Sequence, residues 1–150
     1  MTTQDLIASA SLLRAPGEAS LKEFTQKREG MAVCVNKSMN QRPDLEKMVG
    51  PDGKDMSQDN NRNFSLFMES LMVDFRPEVL VDTALWVFRA YRSHGFQTTY
   101  WPANLNTWMK ILEQELTREA FEEISPFYVW LITHIPVFAG MTDDLVKDRS

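Results

Sequence analysis

PFYVWLITHIPVF, residues 126–138, is the stretch that decides how this chain folds. Nearly every side chain in it is apolar, so the segment has to be surrounded on most sides by its own protein or by a partner. It is too short, and too interrupted by Thr133, His134 and Pro136, to match the ~20 apolar residues of a spanning helix. No membrane span is therefore expected. The C-terminal half reads as a packed helical core with one histidine inside it.

Working back from this stretch, Thr117 is placed to cap the last helix, Pro126 to kink or restart it and Pro136 to end it. Upstream, Thr98 or Thr99 opens a helix whose inner stripe is Trp101, Leu105, Trp108, Met109, Leu112 and Leu116. The best-bounded helix runs from Arg76 to His94, with Pro77 in its first turn and Gly95 just past its end. Its charges fall in one narrow strip and apolar residues cover the remainder, which predicts a central helix. Met56 to Val73 carries Phe64, Phe67, Met68 and Leu71 on one face; its Asn-rich opening forms helix poorly and needs tertiary packing.

Nearer the N-terminus, Ser20 and Glu23 have capping-box spacing ahead of Phe24, Met31, Ala32, Val35 and Met39. Thr3 is placed to cap a short helix before the Pro16-Gly17 break. No segment alternates with period two for long enough to make a strand. The expectation is an all-α, single-domain bundle of about five to seven helices over residues 1–150, with 1–18 and 140–150 its loosest parts.

Composition narrows the function classes. The chain is 43% hydrophobic and 25% charged, ordinary for a globular protein, and 150 residues can bury roughly 70% of the unfolded surface. A net charge of −5 and scattered basic residues argue against a nucleic-acid partner. Cys34 is the single cysteine, which excludes an internal disulfide and fits a reducing compartment. With no recognisable leader, the cytoplasm is the expected location.

Specific chemistry is sparse. Two histidines and one cysteine cannot assemble a zinc cluster. Tyr91 and Leu131, not glutamates, stand three residues before the histidines, so the di-iron pattern is missing. No metal is expected, and no cofactor is assigned. Phosphate-loop, dinucleotide and Gly-x-Ser-x-Gly patterns are absent. His94 reads as a helix C-terminal residue that suits the dipole. With Arg89 and Arg92 it makes a candidate anion site, against the alternative of a solvated strip. His134 reads as a core histidine bonded to a backbone carbonyl, as one exposed because the helix ends at Pro136, or as a buried neutral imidazole of the kind that ligates a haem iron.

Aromatic residues crowd the second half. Trp86, Tyr91, Trp108, Trp130 and His134 are the candidate lining of a pocket for a hydrophobic or tetrapyrrole-like ligand. Tyr100 and Trp101, at a helix start, are the candidates for an exposed interface. The leading reading is a non-enzymatic signalling or interaction module with a protein partner or a homodimer. The alternatives are a sensor for a small hydrophobic ligand and an enzyme with dispersed acid–base residues.

The stretches NRNFSLFMESLMVDFRPEVLVDTALWVFRAYRSHG (61–95) and TTYWPANLNTWMKILEQEL (98–116) resemble globin-like helical sensor modules and the helical modules beside cobalamin-binding sensor domains. The resemblance covers about half the chain and implies a globin-like bundle used in sensing. It carries no haem ligation onto His94, which lies at a helix terminus beside Gly95, and the chain has no cobalamin-binding motif.

Overall fold

The computed structural model describes residues 1–147, with side chains through Asp143. It contains seven helices and, among the described residues, no strand: α1 (Thr3–Ala10), α2 (Glu18–Asn40), α3 (Leu45–Val49), α4 (Lys54–Val73), α5 (Pro77–Ser93), α6 (Tyr100–Glu115) and α7 (Arg118–Lys147). The all-α expectation holds. One buried apolar cluster is shared by all seven, running from Leu6 in α1 to Phe138 in α7.

The punctuation explains several ends. Pro77 starts α5, and Gly95 follows it at φ +99°, a conformation glycine adopts without a Cβ clash. Thr117 caps α7, its hydroxyl accepting from the Ala120 N–H at 3.3 Å. At α1 the cap is Thr2 rather than Thr3. Thr2 Oγ1 accepts from the Asp5 N–H and the Asp5 carboxylate accepts from the Thr2 N–H, a complete capping box.

Two expectations fail for instructive reasons. Ser20 and Glu23 form no capping box, because α2 begins at Glu18 behind Gly17. Both residues instead reach α7. Ser20 Oγ donates to Glu123, which also accepts from the Gly17 N–H at 2.6 Å, and Glu23 accepts from the backbone N–H and hydroxyl of Thr117. The acids thus cap across helices and fasten the first turn of α2 to the start of α7.

Pro136 does not end the last helix either; α7 continues through both prolines. Each proline removes one backbone hydrogen bond, but both lie on the exposed side. On that side the lost hydrogen bonds fall toward solvent rather than into the core. Over Arg118–Asp143 the continuous helix is long and apolar enough to cross a bilayer by length and composition alone, which corrects the shorter span read from 126–138. Ile124, Phe127, Tyr128 and Phe138 are fully buried on its inner face, which packs on α2, α5 and α6.

Both ends of the chain are tied down as far as they are described. Leu6 and Ala10 are fully buried where α1 packs on α5. Thr142 is buried, and Arg92 of α5 donates to Ala139 O and Thr142 Oγ1, both at 2.9 Å, and pairs with Asp143. Residues 148–150 of the expected loose tail lie outside the described part.

α2 packs closely on α4 and α6, and α7 on α5 and α6. α4 and α5, though consecutive in sequence, are not a closely packed pair. The space between them is where the site lies.

Candidate functional site

A cavity of about 260 Å³ opens between α4, α5, α6 and α7. Its wall is mainly apolar: Phe64 and Phe67 from α4, Leu80, Ala84, Val87 and Phe88 from α5, Trp101 and Leu105 from α6, and Leu131 and Phe138 from α7. Asn60, Asn63, Thr83 and Asn104 supply polar groups. Rings set the shape. Trp101 stacks on Phe88 with centroids 4.9 Å apart, and Tyr91 meets it edge-on at 5.6 Å. Stiff aromatic planes leave gaps that backbone adjustment closes poorly, so the void is a product of the residue types.

Behind the cavity runs a relay of amides, buried at Asn61 and Asn104 and half-buried at Asn36. Asn36 Nδ2 donates to the Gln58 carbonyl, Asn61 Nδ2 to Asn36 Oδ1 at 2.8 Å, and Asn104 Nδ2 to Asn61 Oδ1 at 2.9 Å. Trp108 Nε1 also donates to Asn61 Oδ1 at 2.9 Å. An indole N–H can only donate and a backbone carbonyl can only accept, so both ends fix the amide orientations. Asn104 must therefore give its amide protons to Asn61. Its own Oδ1 is buried with no protein partner, as is Trp101 Nε1. Asn104 is 1% and Trp101 5% exposed. Both residues border the cavity, but these two atoms have almost no accessible surface and do not face its open space. The Tyr128 hydroxyl is also unpaired, but that residue is not part of this wall.

The structure divides the expected ligand residues. Trp86 and Tyr91 do line the cavity. Trp86 lies at its mouth and is 63% exposed, so α5 is open on one flank rather than covered all round. Trp108 is fully buried one layer below, held by Asn61 and packed edge-on to Phe64.

Trp130 and His134 face α1 instead. Trp130 Nε1 donates to Ser9 Oγ at 3.1 Å, Ser9 Oγ lies 3.4 Å from His134 Nε2, and His134 Nδ1–H donates to Trp130 O at 2.7 Å. The two rings stack with centroids 4.4 Å apart. With both nitrogens engaged, His134 does not fit haem ligation, and it is the carbonyl-bonded histidine of the simpler expectation.

Tyr100 and Trp101 do not form an exposed interface. Both are buried, because α6 turns its first residues inward against Phe88, Tyr91 and Phe96. The anion cluster does not assemble either. Arg92 is committed to the end of α7, while the exposed His94 donates from Nδ1 to Ala90 O at 2.8 Å.

Sequence reasoning missed Asn61 and Asn104, the residues that organise the site. A signal was present: Ser57, Asn61, Ser65, Met68 and Met72 form one helical row in which every member is buried. Small and polar residues open that row, so it did not register as a core face.

Among the described residues the wall contains no carboxylate, cationic side chain, histidine, cysteine or serine, and its one titratable group there is the Tyr91 phenol. Burial, with a smaller push from Asp59, raises Tyr91 above its ordinary value. The carboxyls with displaced values, Asp5, Glu23 and Asp44, are all lowered and lie in caps and surface ties. Among the described residues no cluster of His, Cys, Asp and Glu could hold a metal. No family model, curated protein or solved structure matches the chain.

Proposed function

We propose that this protein is a non-enzymatic helical module that binds a small, largely apolar molecule in the cavity between α4, α5, α6 and α7. The observation that carries the reading is an apolar cavity between four helices whose lining also includes Asn60, Asn63, Thr83 and Asn104. Small-molecule sites have this character, apolar walls with a few placed polar groups.

The size narrows the alternatives. At about 30 Å³ for each water-sized unit, a volume of 260 Å³ holds on the order of ten non-hydrogen atoms. A tetrapyrrole is several times larger. The exposed indole of Trp86 also suited the interaction-module reading, but an aromatic side chain at the mouth of a ligand cavity accounts for it equally well. Because the cavity touches four helices, occupancy is felt by most of the bundle, which is what a sensing module needs.

Toluene is the simplest probe. Near saturation in water it is expected to raise the melting temperature by about 2–5 °C through preferential binding to the folded state. Ala84→Leu, which places three extra carbons in the cavity, is expected to abolish that shift. An unchanged melting temperature in the parent protein, or an equal shift in the filled variant, removes the cavity as a ligand site.

A further inference from the structure

Of the four tryptophans, Trp101, Trp108 and Trp130 are buried and Trp86 is exposed. Its neighbours on α5 form a distinct outer strip. Residues three, four and seven apart share a helix face, so Val79, Asp82, Trp86 and Arg89 stand in line. Val79 is 40% exposed, and both charged residues are exposed as well. Neither Asp82 nor Arg89 takes part in an ion pair among the described residues. They lie two turns apart, about 10 Å along the axis, too far to pair with each other. A cavity mouth accounts for the indole but not for the charges on either side of it.

That order of charges makes the strip complementary to itself. Two copies of α5 laid antiparallel about a two-fold axis level with Trp86 bring the start of one strip beside the end of the other. Asp82 precedes Trp86 by four residues and Arg89 follows it by three. Asp82 therefore comes level with the partner's Arg89 to within one residue's rise, about 1.5 Å. At 100° per residue the two positions differ by only about 20° around the helix, so both stand on the same edge of the contact. The symmetry repeats the pair at the other end. A parallel arrangement instead sets acid beside acid and base beside base, which repels. Along the opposite edge Val79, Thr83 and Ala90 are uncharged, and the two indoles meet at the centre, where buried aromatic side chains contribute most to association.

We propose that this outer strip of α5 is a homodimer contact, in which two copies associate antiparallel with their Trp86 side chains at the centre and an Asp82–Arg89 ion pair on each side. A single helix face is a small interface, so the dimer is a weak one, with a dissociation constant on the order of 100 μM. The contact does not depend on what the cavity binds.

Sedimentation of the full chain over a roughly hundredfold concentration range around that value measures association. Acrylamide quenching of tryptophan fluorescence at each concentration shows which face is used. The parent protein is expected to pass from monomer to dimer, with quenching falling as Trp86 is covered. Asp82→Arg and Arg89→Asp each bring like charges together twice in the dimer and are expected to weaken association by about tenfold or more. The double exchange re-forms both pairs with their signs reversed and is expected to recover the parent constant to within about threefold. Both side chains are exposed, so circular dichroism is expected to show the same fold in all four proteins. A monomer at every concentration, a dimer whose Trp86 is quenched as readily as in the monomer, single exchanges that associate like the parent, or a double exchange no stronger than the singles overturns the assignment. None of these outcomes bears on ligand binding in the cavity, which the toluene shift reads separately.

Discussion

Gly53 shows how far a single missing Cβ shapes this chain. It precedes α4 and is buried, and a Cβ placed there would lie 2.0 Å from the Val49 carbonyl oxygen and 2.7 Å from its carbon. The contact is with backbone, so no side chain can swing away; the whole turn between α3 and α4 must open. Gly53→Ala is expected to destabilise the fold by about 1–3 kcal/mol, the usual cost of overpacking, measured by urea denaturation. Gly30 makes the contrast. It lies within α2, and a methyl group added there would have nothing within 4 Å, so Gly30→Ala is expected to stabilise by roughly 0.5–1 kcal/mol. The same substitution has opposite signs at two glycines because one faces a carbonyl and the other open space.

Among the elements, the tie between α2 and α7 has a pH signature. Burial alone would raise the Glu23 carboxyl, but the Thr117 backbone N–H and hydroxyl, with Lys27, outweigh it and hold Glu23 below its ordinary value of 4.5. A lowered folded value means the stabilisation is complete above pH 4.5 and is lost as pH falls through the folded value. Glu23→Gln is expected to cost about 1 kcal/mol at pH 7 and progressively less as pH falls below 4.5 and through the lowered folded value, read from paired denaturation curves. A penalty that does not change with pH argues against the charge as the source.

That tie also marks where local sequence rules stop. α5 and α6 were legible because Pro77, Gly95 and the spacing of apolar residues act within a few residues of one another. The pairing of Glu23 with Thr117 spans 94 positions, and local spacing pointed to a capping box instead. Pro136 was read as a stop because the rule for proline is local, whereas contacts with α2, α5 and α6 carry α7 onward. At the site, the aromatic residue types were visible, but which rings meet depends on helix crossings that no single segment encodes. Asn61 and Asn104 escaped notice because an amide in an apolar row looks like a surface residue until its partner on another helix is known.

For the whole molecule, the three tyrosines make alkaline stability a test of the core. Burial pushes Tyr100 up to about 12 despite the opposing bonds from Ser57 and Asn60, and burial raises Tyr128 further. Tyr91 is raised as well, by burial and then by Asp59. A phenol with a raised folded value contributes stability that is whole below its ordinary 10.0 and is lost as pH rises through the folded value. Tyrosinate absorbance from Tyr100 and Tyr128 is therefore expected to be missing at pH 10 and to appear with the loss of near-ultraviolet circular dichroism. An ordinary titration near pH 10 in protein that is still folded shows that these phenols are wet. The stapling of α2 to α7 has one more consequence, in time. At roughly 5–20 residues per second on the ribosome, the Gly17 amide waits for Glu123, 106 positions later, on the order of ten seconds. The nascent N-terminal half emerges long before the acid that secures it, and it must be sheltered or remain unfolded until the last helix arrives.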